Sequence, residues 1–92
     1  MKNFEAPNNY TQFEGKNLEV DPEGFVRFGD IARYFLNQQS QYASRYIDGK
    51  IEGYPNLGEG LRFKGESWNY HSVQIHKDDI AEFIKRYIEH QK

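Results

Sequence analysis

The sequence contains no cysteine, no long apolar run and no large excess of charge of either sign. The absence of cysteine excludes a disulfide framework, a thiolate zinc site and a cysteine nucleophile. Apolar runs reach only two or three residues, whereas a membrane span needs roughly 20, and the first residues are polar rather than an apolar signal segment. The sequence therefore predicts a protein that does not span a membrane and lies in the cytoplasm.

Aromatic side chains and an uneven charge distribution are what the sequence does contain. Seven Tyr, seven Phe and one Trp among 92 residues supply apolar area for one small core, and a chain of this length has no room for a second. The formal net charge is −2, whereas nucleic-acid-binding domains usually carry a basic excess. Residues 24–65 nevertheless hold six bases and four acids, so the middle of the chain is mildly basic.

The C-terminal segment has the clearest helical periodicity. Apolar residues recur at i, i+3, i+4, i+7 and i+8 from Ile80 to Ile88, which puts them on one face of a helix beginning near Lys77. Asp79 and Glu82 have the spacing of a capping box at its start.

Two further helices are predicted in the middle of the chain. The same five apolar offsets predict a helix over about residues 29–36. A shorter helix follows, with Ser40 as its N-cap and Gly49 as its stop. Because residues 37–39 allow only a tight turn, the two helices are predicted to form a helix-turn-helix pair.

Strand patterns flank this pair on both sides. Alternating residues around the turn at 21–24 predict a small hairpin, and the glycine-rich residues 53–60 predict a loop. Alternation over 61–75, with a turn at 65–67, predicts a second hairpin before the last helix. Residues 1–16 show no periodicity and are predicted to be a mobile arm, leaving residues 17–92 as one α+β domain.

The sequence contains no convincing pattern of a catalytic or metal-binding site. His71 and His76 lie five residues apart on a predicted strand and its end, which points them to opposite faces. The helix dipole explains Asp78 and Asp79 without an acid–base role, and no phosphate-binding glycine motif is present. The expectation is a protein that is not an enzyme and that holds no metal or cofactor.

A helix-turn-helix pair followed by a hairpin is the arrangement of a winged-helix DNA-binding domain, whose second helix enters the major groove. Glutamine can bind adenine and arginine can bind guanine, and cations and polar groups at the turn and the wing can reach phosphates. The predicted double-stranded-DNA contacts are Gln38, Gln39, Ser40, Gln41, Tyr42, Ser44, Arg45, Lys50, Arg62, Lys64 and Asn69. Tyr42 is equally compatible with a core aromatic whose hydroxyl reaches the surface.

Motifs in three segments resemble the small winged-helix domains of the excisionase and MerR-like type. In that family a strand leads into an Asp-aliphatic-Ala helix, as at residues 30–32. The second helix ends in an Arg-aromatic-Ile run, as at 45–47, and a wing leads into an Asp-aliphatic-x-x-Phe helix, as at 79–83. The resemblance covers residues 25–88. Residues 21–26 leading into Ile31 are also similar to the phage KilA-N type of domain.

The resemblance implies a small winged helix-turn-helix with an N-terminal hairpin, two helices, a β-wing and a C-terminal helix. It implies double-stranded DNA binding with Gln41, Ser44 and Arg45 in the major groove and Arg62 or Lys64 on the wing. It also implies a transcriptional regulator or recombination accessory factor of a phage or mobile element.

Two other interpretations stay open. A protein-interaction module could use the aromatics of arm, loop and wing as interface anchors, although these side chains could equally cover a thin core. They are Tyr10, Phe13, Tyr54, Trp68 and Tyr70. A homodimer is compatible with either binding role, since paired helix-turn-helix proteins gain affinity from two half-sites.

Overall fold

Five short strands form one antiparallel sheet with the order β1-β2-β3-β5-β4. The computed structural model describes residues 9–92. The strands are β1 (Asn9–Phe13), β2 (Lys16–Val20), β3 (Phe25–Arg27), β4 (Phe63–Lys64) and β5 (Gln74–His76). With its three helices the domain is an α+β fold, as the sequence predicts.

The predicted hairpin around residues 21–24 is confirmed as β2 and β3. Gly24 has φ +94°, which glycine adopts without the steric penalty of a side chain. The Asp21 carboxylate accepts hydrogen bonds from the backbone N–H groups of Glu23 and Phe25, both at 2.9 Å. A local Asx turn therefore fixes the reversal.

The prediction of a mobile arm over residues 1–16 is wrong for residues 9–16. Asn9–Phe13 is a strand that pairs along its full length with Lys16–Val20. The two strands are joined at Glu14 and Gly15, both with positive φ, the backbone of a two-residue hairpin turn. The prediction missed this strand because an edge strand with mostly exposed side chains needs little hydrophobic alternation. The arm's first eight residues lie outside the described part of the chain.

The predicted helix pair is confirmed, with shorter α-helical segments than expected. Helix α1 (Phe28–Ile31) continues as a π-helical turn over Ala32–Leu36. Helix α2 (Ser40–Ala43) continues as a 3-10 turn over Ser44–Tyr46. Asn37, in the left-handed region at φ 56° and ψ 41°, ends the first helix.

The sequence predicts that Ser40 caps α2, and this prediction is wrong. The N-cap position is Gln39, which makes no side-chain capping bond. The Ser40 hydroxyl instead donates to the backbone carbonyl of Tyr70, at 2.7 Å. A contact with a residue 30 positions later in the chain thus replaces the expected local one.

The second hairpin has a longer loop than predicted. Phe63 pairs with Ile75 and Lys64 with Gln74, so residues 65–73 form the connection between β4 and β5. The alternation of Trp68 with Tyr70, predicted as strand, falls in this loop. Backbone bonds from Asn69 to Glu66 and from Ser72 and Val73 to Asn69 close it into turns, which satisfy polar groups that a strand would pair across the sheet.

The C-terminal helix supplies one side of the core. A 3-10 turn over Lys77–Asp79 leads into α3 (Ile80–Gln91), which confirms the predicted start. Its buried residues are Ile80, Phe83 and Tyr87, and the Tyr87 ring packs edge-on against Tyr46 of the second helix, with centroids 5.4 Å apart. The Phe83 ring meets that of Phe28 edge-on, with centroids 5.3 Å apart. The predicted capping box is not formed, because the Asp79 carboxylate makes no capping bond and instead accepts from Arg62.

The predicted loop over residues 53–60 is confirmed, and it packs on α3. The Arg86 guanidinium donates to the backbone carbonyls of Leu57 and Glu59, at 2.9 and 2.8 Å. Gly58 is buried, and a side chain there would collide with the Ile47 carbonyl and the Phe63 ring. Hydrogen bonds to Arg86 and close packing at Gly58 therefore hold this loop against the core.

Candidate functional site

A cleft of about 420 Å³ lies between α2 and the loop that joins β4 to β5. Helix α2 contributes Gln41 and the 3-10 turn after it contributes Arg45, because the opposite face of the two, which carries Ala43 and Tyr46, is buried in the core. Lys50 follows the helix, and Trp68 lines the other wall from the loop. The cleft therefore combines polar, cationic and aromatic side chains at the surface of the helix pair.

Arg45 is positioned by two tyrosine rings. Its guanidinium donates to the Tyr54 hydroxyl at 3.0 Å. The same guanidinium lies 5.8 Å from the Tyr42 ring centroid and 5.5 Å from that of Tyr54, within the range of a cation–π interaction. Within residues 9–92 no carboxylate forms an ion pair with Arg45 or Lys50. Both cations are thus available to an anionic partner.

Asp48 supplies one negative charge in the cleft, and each of its oxygens accepts a hydrogen bond. One accepts from the Ser67 hydroxyl and the other from the backbone N–H of Lys50, at 3.2 Å. The carboxylate therefore fastens the β4–β5 loop to the end of the second helix.

Ser44 is predicted to contact DNA, but it does not project outward from the second helix. Its exposed fraction is 5%, and its hydroxyl donates back to the carbonyl of Gln41 at 3.3 Å. Ser44 is the first residue of the 3-10 turn, directly after buried Ala43, and it lines the inner wall of the cleft together with Ser67.

Tyr42 is half-buried and belongs to an aromatic cluster. Its hydroxyl lies 3.3 Å from that of Tyr46. The pKa of Tyr46 is raised to about 12, mainly by burial and secondly by this hydrogen bond. Tyr42 therefore matches the core interpretation, while the Arg45 guanidinium still lies over its ring.

The turn residues lie apart from the cleft, beside a second depression. Gln38, Gln39 and Ser40 line a hollow of about 330 Å³ together with Arg33 and Asn37. Gln39 is exposed, whereas Gln38 and Ser40 are half-buried. Of the three, Ser40 is committed to the Tyr70 carbonyl.

The two predicted cations of the second hairpin are both held by carboxylates. The Arg62 backbone N and Nε lie 2.8 and 3.0 Å from one Asp79 oxygen, and its Nη2 lies 3.2 Å from the other. These bonds lower the pKa of Asp79 and raise that of Arg62. Lys64 Nζ bonds Asp21 and Glu23, and its hydrogen bond is the main cause that lowers the Asp21 pKa to about 2.

Asn69 and Trp68 occupy the loop next to these strands. The Asn69 side chain is exposed, and its backbone N–H and carbonyl close the turns of the loop. Trp68 is 73% exposed and was not among the predicted DNA contacts. The sequence does place the single tryptophan between glycine and polar residues, a composition typical of an exposed loop, but the prediction assigned this segment to a strand.

A separate apolar groove of about 530 Å³ lies on the side of the domain formed by the β1–β2 hairpin, the π-helical turn and α3. Its walls include Phe13, Phe35 and Ile84, and Lys16 and Lys85 stand beside it. The Phe13 and Phe35 rings pack edge-on with centroids 5.1 Å apart. The groove shares no residue with the cleft.

No family model, curated protein or solved structure matches this chain. The likeness to excisionase and MerR-like domains therefore remains a prediction from the residues. Within the described residues no group of three or more His, Asp or Glu could hold a metal ion. In the same part of the chain, no helix has the length and apolar character needed to cross a membrane.

Proposed function

We propose that this chain is a winged-helix protein that binds double-stranded DNA, as a transcriptional regulator or recombination accessory factor. The carrying observation is topological. The helix pair connects β3 to β4, and β5 returns between these two strands. The β4–β5 hairpin would then be the wing of a helix-turn-helix domain, with its loop beside the second helix.

The chemistry of the cleft supports the same proposal. Gln41 on α2 and Arg45 on the 3-10 turn that continues it are exposed, and these residue types bind adenine and guanine edges. Lys50 would neutralise a DNA phosphate, and the Asn69 side chain on the β4–β5 loop could donate a hydrogen bond to the sugar-phosphate backbone of the DNA.

The ion pairs of the second hairpin narrow the proposed contact surface. Arg62 and Lys64 would have to give up carboxylate partners before they could neutralise phosphates. The proposed interface therefore centres on Gln41, Arg45 and Lys50 rather than on the strands of the wing. It assigns no reaction to the chain.

Fluorescence anisotropy with a labelled pool of random duplex DNA tests the proposal at low salt and at about 0.2 M salt, because phosphate contacts make affinity fall with salt. We expect binding at low salt, weakened by Lys50→Ala and by Arg45→Ala. Lys85→Ala is the matched control, since it removes an exposed lysine from α3, outside the cleft. Equal affinities of Lys50→Ala and Lys85→Ala, or no binding at low salt, would contradict the proposal.

The apolar groove supports a second candidate function, the binding or inhibition of a partner protein. Tyr34 and Ile88 in its walls are 47% and 49% exposed, and exposed apolar surface can anchor a protein interface. In capture experiments, Ile88→Glu should then lose a partner that Lys50→Ala retains. Equal capture by both variants would contradict a role of the groove.

A further inference from the structure

Trp68 projects from a loop whose backbone is held on both sides of it. On one side, Ser67 Oγ donates to the Asp48 carboxylate. On the other, the Tyr70 carbonyl accepts from Ser40 Oγ at 2.7 Å. Both partners lie on or just after the second helix of the pair. The indole is thus carried by an anchored backbone, yet 73% of the residue is exposed.

The surroundings of Trp68 favour an anionic ligand with an aromatic part. Arg45 and Lys50 line the same cleft, lack carboxylate partners among residues 9–92 and outnumber Asp48, the one carboxylate in the lining. An exposed indole stacks on any nucleobase, since every base has a π-face, and cations beside it can hold the phosphates.

A base inside a perfect duplex cannot use this arrangement without leaving its stack, which costs unstacking and unpairing energy. An unpaired base is spared most of that cost. A preference for locally disrupted DNA follows, because the anchored loop keeps the indole at the mouth of the cleft, where an unpaired base can reach it.

We propose that the cleft binds one unpaired nucleobase stacked on Trp68, with Arg45 and Lys50 on the neighbouring phosphates. This inference rests on the proposed DNA-binding function and names the DNA it favours. The protein binds a duplex that contains an unpaired base more tightly than the same duplex without one.

The test compares three labelled duplexes of ~20 base pairs by fluorescence anisotropy at low salt, where phosphate contacts are strongest. One is perfectly paired, one carries a single extra thymidine, and one carries an abasic residue at that position. We expect the thymidine bulge to bind about 5-fold to 150-fold more tightly than the other two, the range that stacking of one base on an aromatic ring provides. The abasic duplex separates stacking from mere flexibility.

Variants of the indole make the assignment specific. Trp68→Leu should lower the affinity for the thymidine bulge to that for the perfect duplex and so remove the preference, whereas Trp68→Phe should keep most of the preference because a ring remains for stacking. Tyr34→Leu is the control, since it removes another exposed aromatic from the separate groove. Circular dichroism of each variant verifies that the fold is retained.

Trp68 also provides a direct signal, because it is the only tryptophan in the sequence. Its fluorescence should be quenched by the thymidine bulge and much less by the abasic duplex. Equal binding of all three duplexes, or a preference that survives in Trp68→Leu, would overturn this inference while leaving duplex binding intact. Absence of binding to any of the three would overturn the proposed function as well, and would favour a protein as the partner.

Discussion

At the scale of single residues, Asp21 shows how much of this small domain depends on one carboxylate. It accepts two backbone N–H bonds that form the β2–β3 turn and a third bond from Lys64 in β4, 43 positions away. Lys64 Nζ also lies 4.8 Å from the centroid of the Phe25 ring. Because β4 has only two residues, this side-chain contact adds to the few backbone bonds that hold it.

Acid should weaken the domain through Asp21. Its pKa is lowered from 3.8 to about 2 in the folded chain. A folded-state pKa below the unfolded one means that the ionised carboxylate stabilises the fold above about pH 4 and that this contribution is lost as pH falls toward 2. Thermal melts from pH 6 to pH 2 should therefore show a smaller fall in Tm for Asp21→Asn than for the natural sequence.

Glu52→Gln is the control for this pH series, because it removes the same charge from an exposed loop position. Its Tm should follow the natural sequence across the whole range. Parallel curves for Asp21→Asn and the natural sequence would show that the Lys64 contact does not stabilise the fold.

At the scale of elements, the helices were predictable because each buries a continuous apolar stripe. The spacing from Ile80 to Ile88 can be satisfied by a helix on one core, and α3 follows it. By contrast, the β4–β5 loop depends on Ser40 and Asp48, which lie far from it in sequence. The cleft was only partly predictable for the same reason, since partners distant in the chain hold the loop on both sides of Trp68.

The turn between α1 and α2 has asparagine where glycine is the usual choice. Asn37 adopts φ 56°, and asparagine tolerates this left-handed conformation better than other residues with a side chain. Asn37→Ala should therefore destabilise the fold by about 1 kcal/mol, whereas Asn37→Gly should stay close to the natural sequence. Thermal melts measure the difference, which should be about 4–8 °C in Tm. Equal Tm values for the alanine and glycine variants would contradict this role of the turn.

The Ser40–Tyr70 bond makes a prediction that a capping role would not. Ser40→Ala should lower stability by about 1 kcal/mol, because the Tyr70 carbonyl loses its donor. Ser40→Asp should be no better, although aspartate is a good N-cap, since a carboxylate cannot donate to a carbonyl. Chemical denaturation measures both variants, with Ser72→Ala as the matched loop control because its hydroxyl makes only a long 3.5 Å bond. Full stability of Ser40→Asp would restore the capping interpretation.

At the scale of the whole molecule, ion pairing determines which cations can act on a partner. Five cations of the described residues are paired with carboxylates at up to 3.2 Å: Arg33, Arg62, Lys64, Lys77 and Arg86. The formal net charge of −2 therefore hides a local arrangement in which the cleft keeps two uncommitted cations. A protein of this kind can attract DNA on one face without being basic overall.

This arrangement predicts a shallow salt dependence for DNA binding. Each neutralised phosphate contributes a slope of about −0.9 to the plot of log affinity against log salt, so Arg45 and Lys50 together give about −2 per protomer. Anisotropy titrations at several salt concentrations measure this slope. Because a homodimer would double the slope, light scattering of the complex is needed to give the number of bound protomers. Lys50→Gln should reduce the slope by about one per protomer, whereas Lys85→Gln should leave it unchanged. A slope twice as steep for a bound monomer would mean that Arg62 and Lys64 leave their carboxylate partners and bind phosphates instead. The β4–β5 hairpin would then be part of the DNA interface.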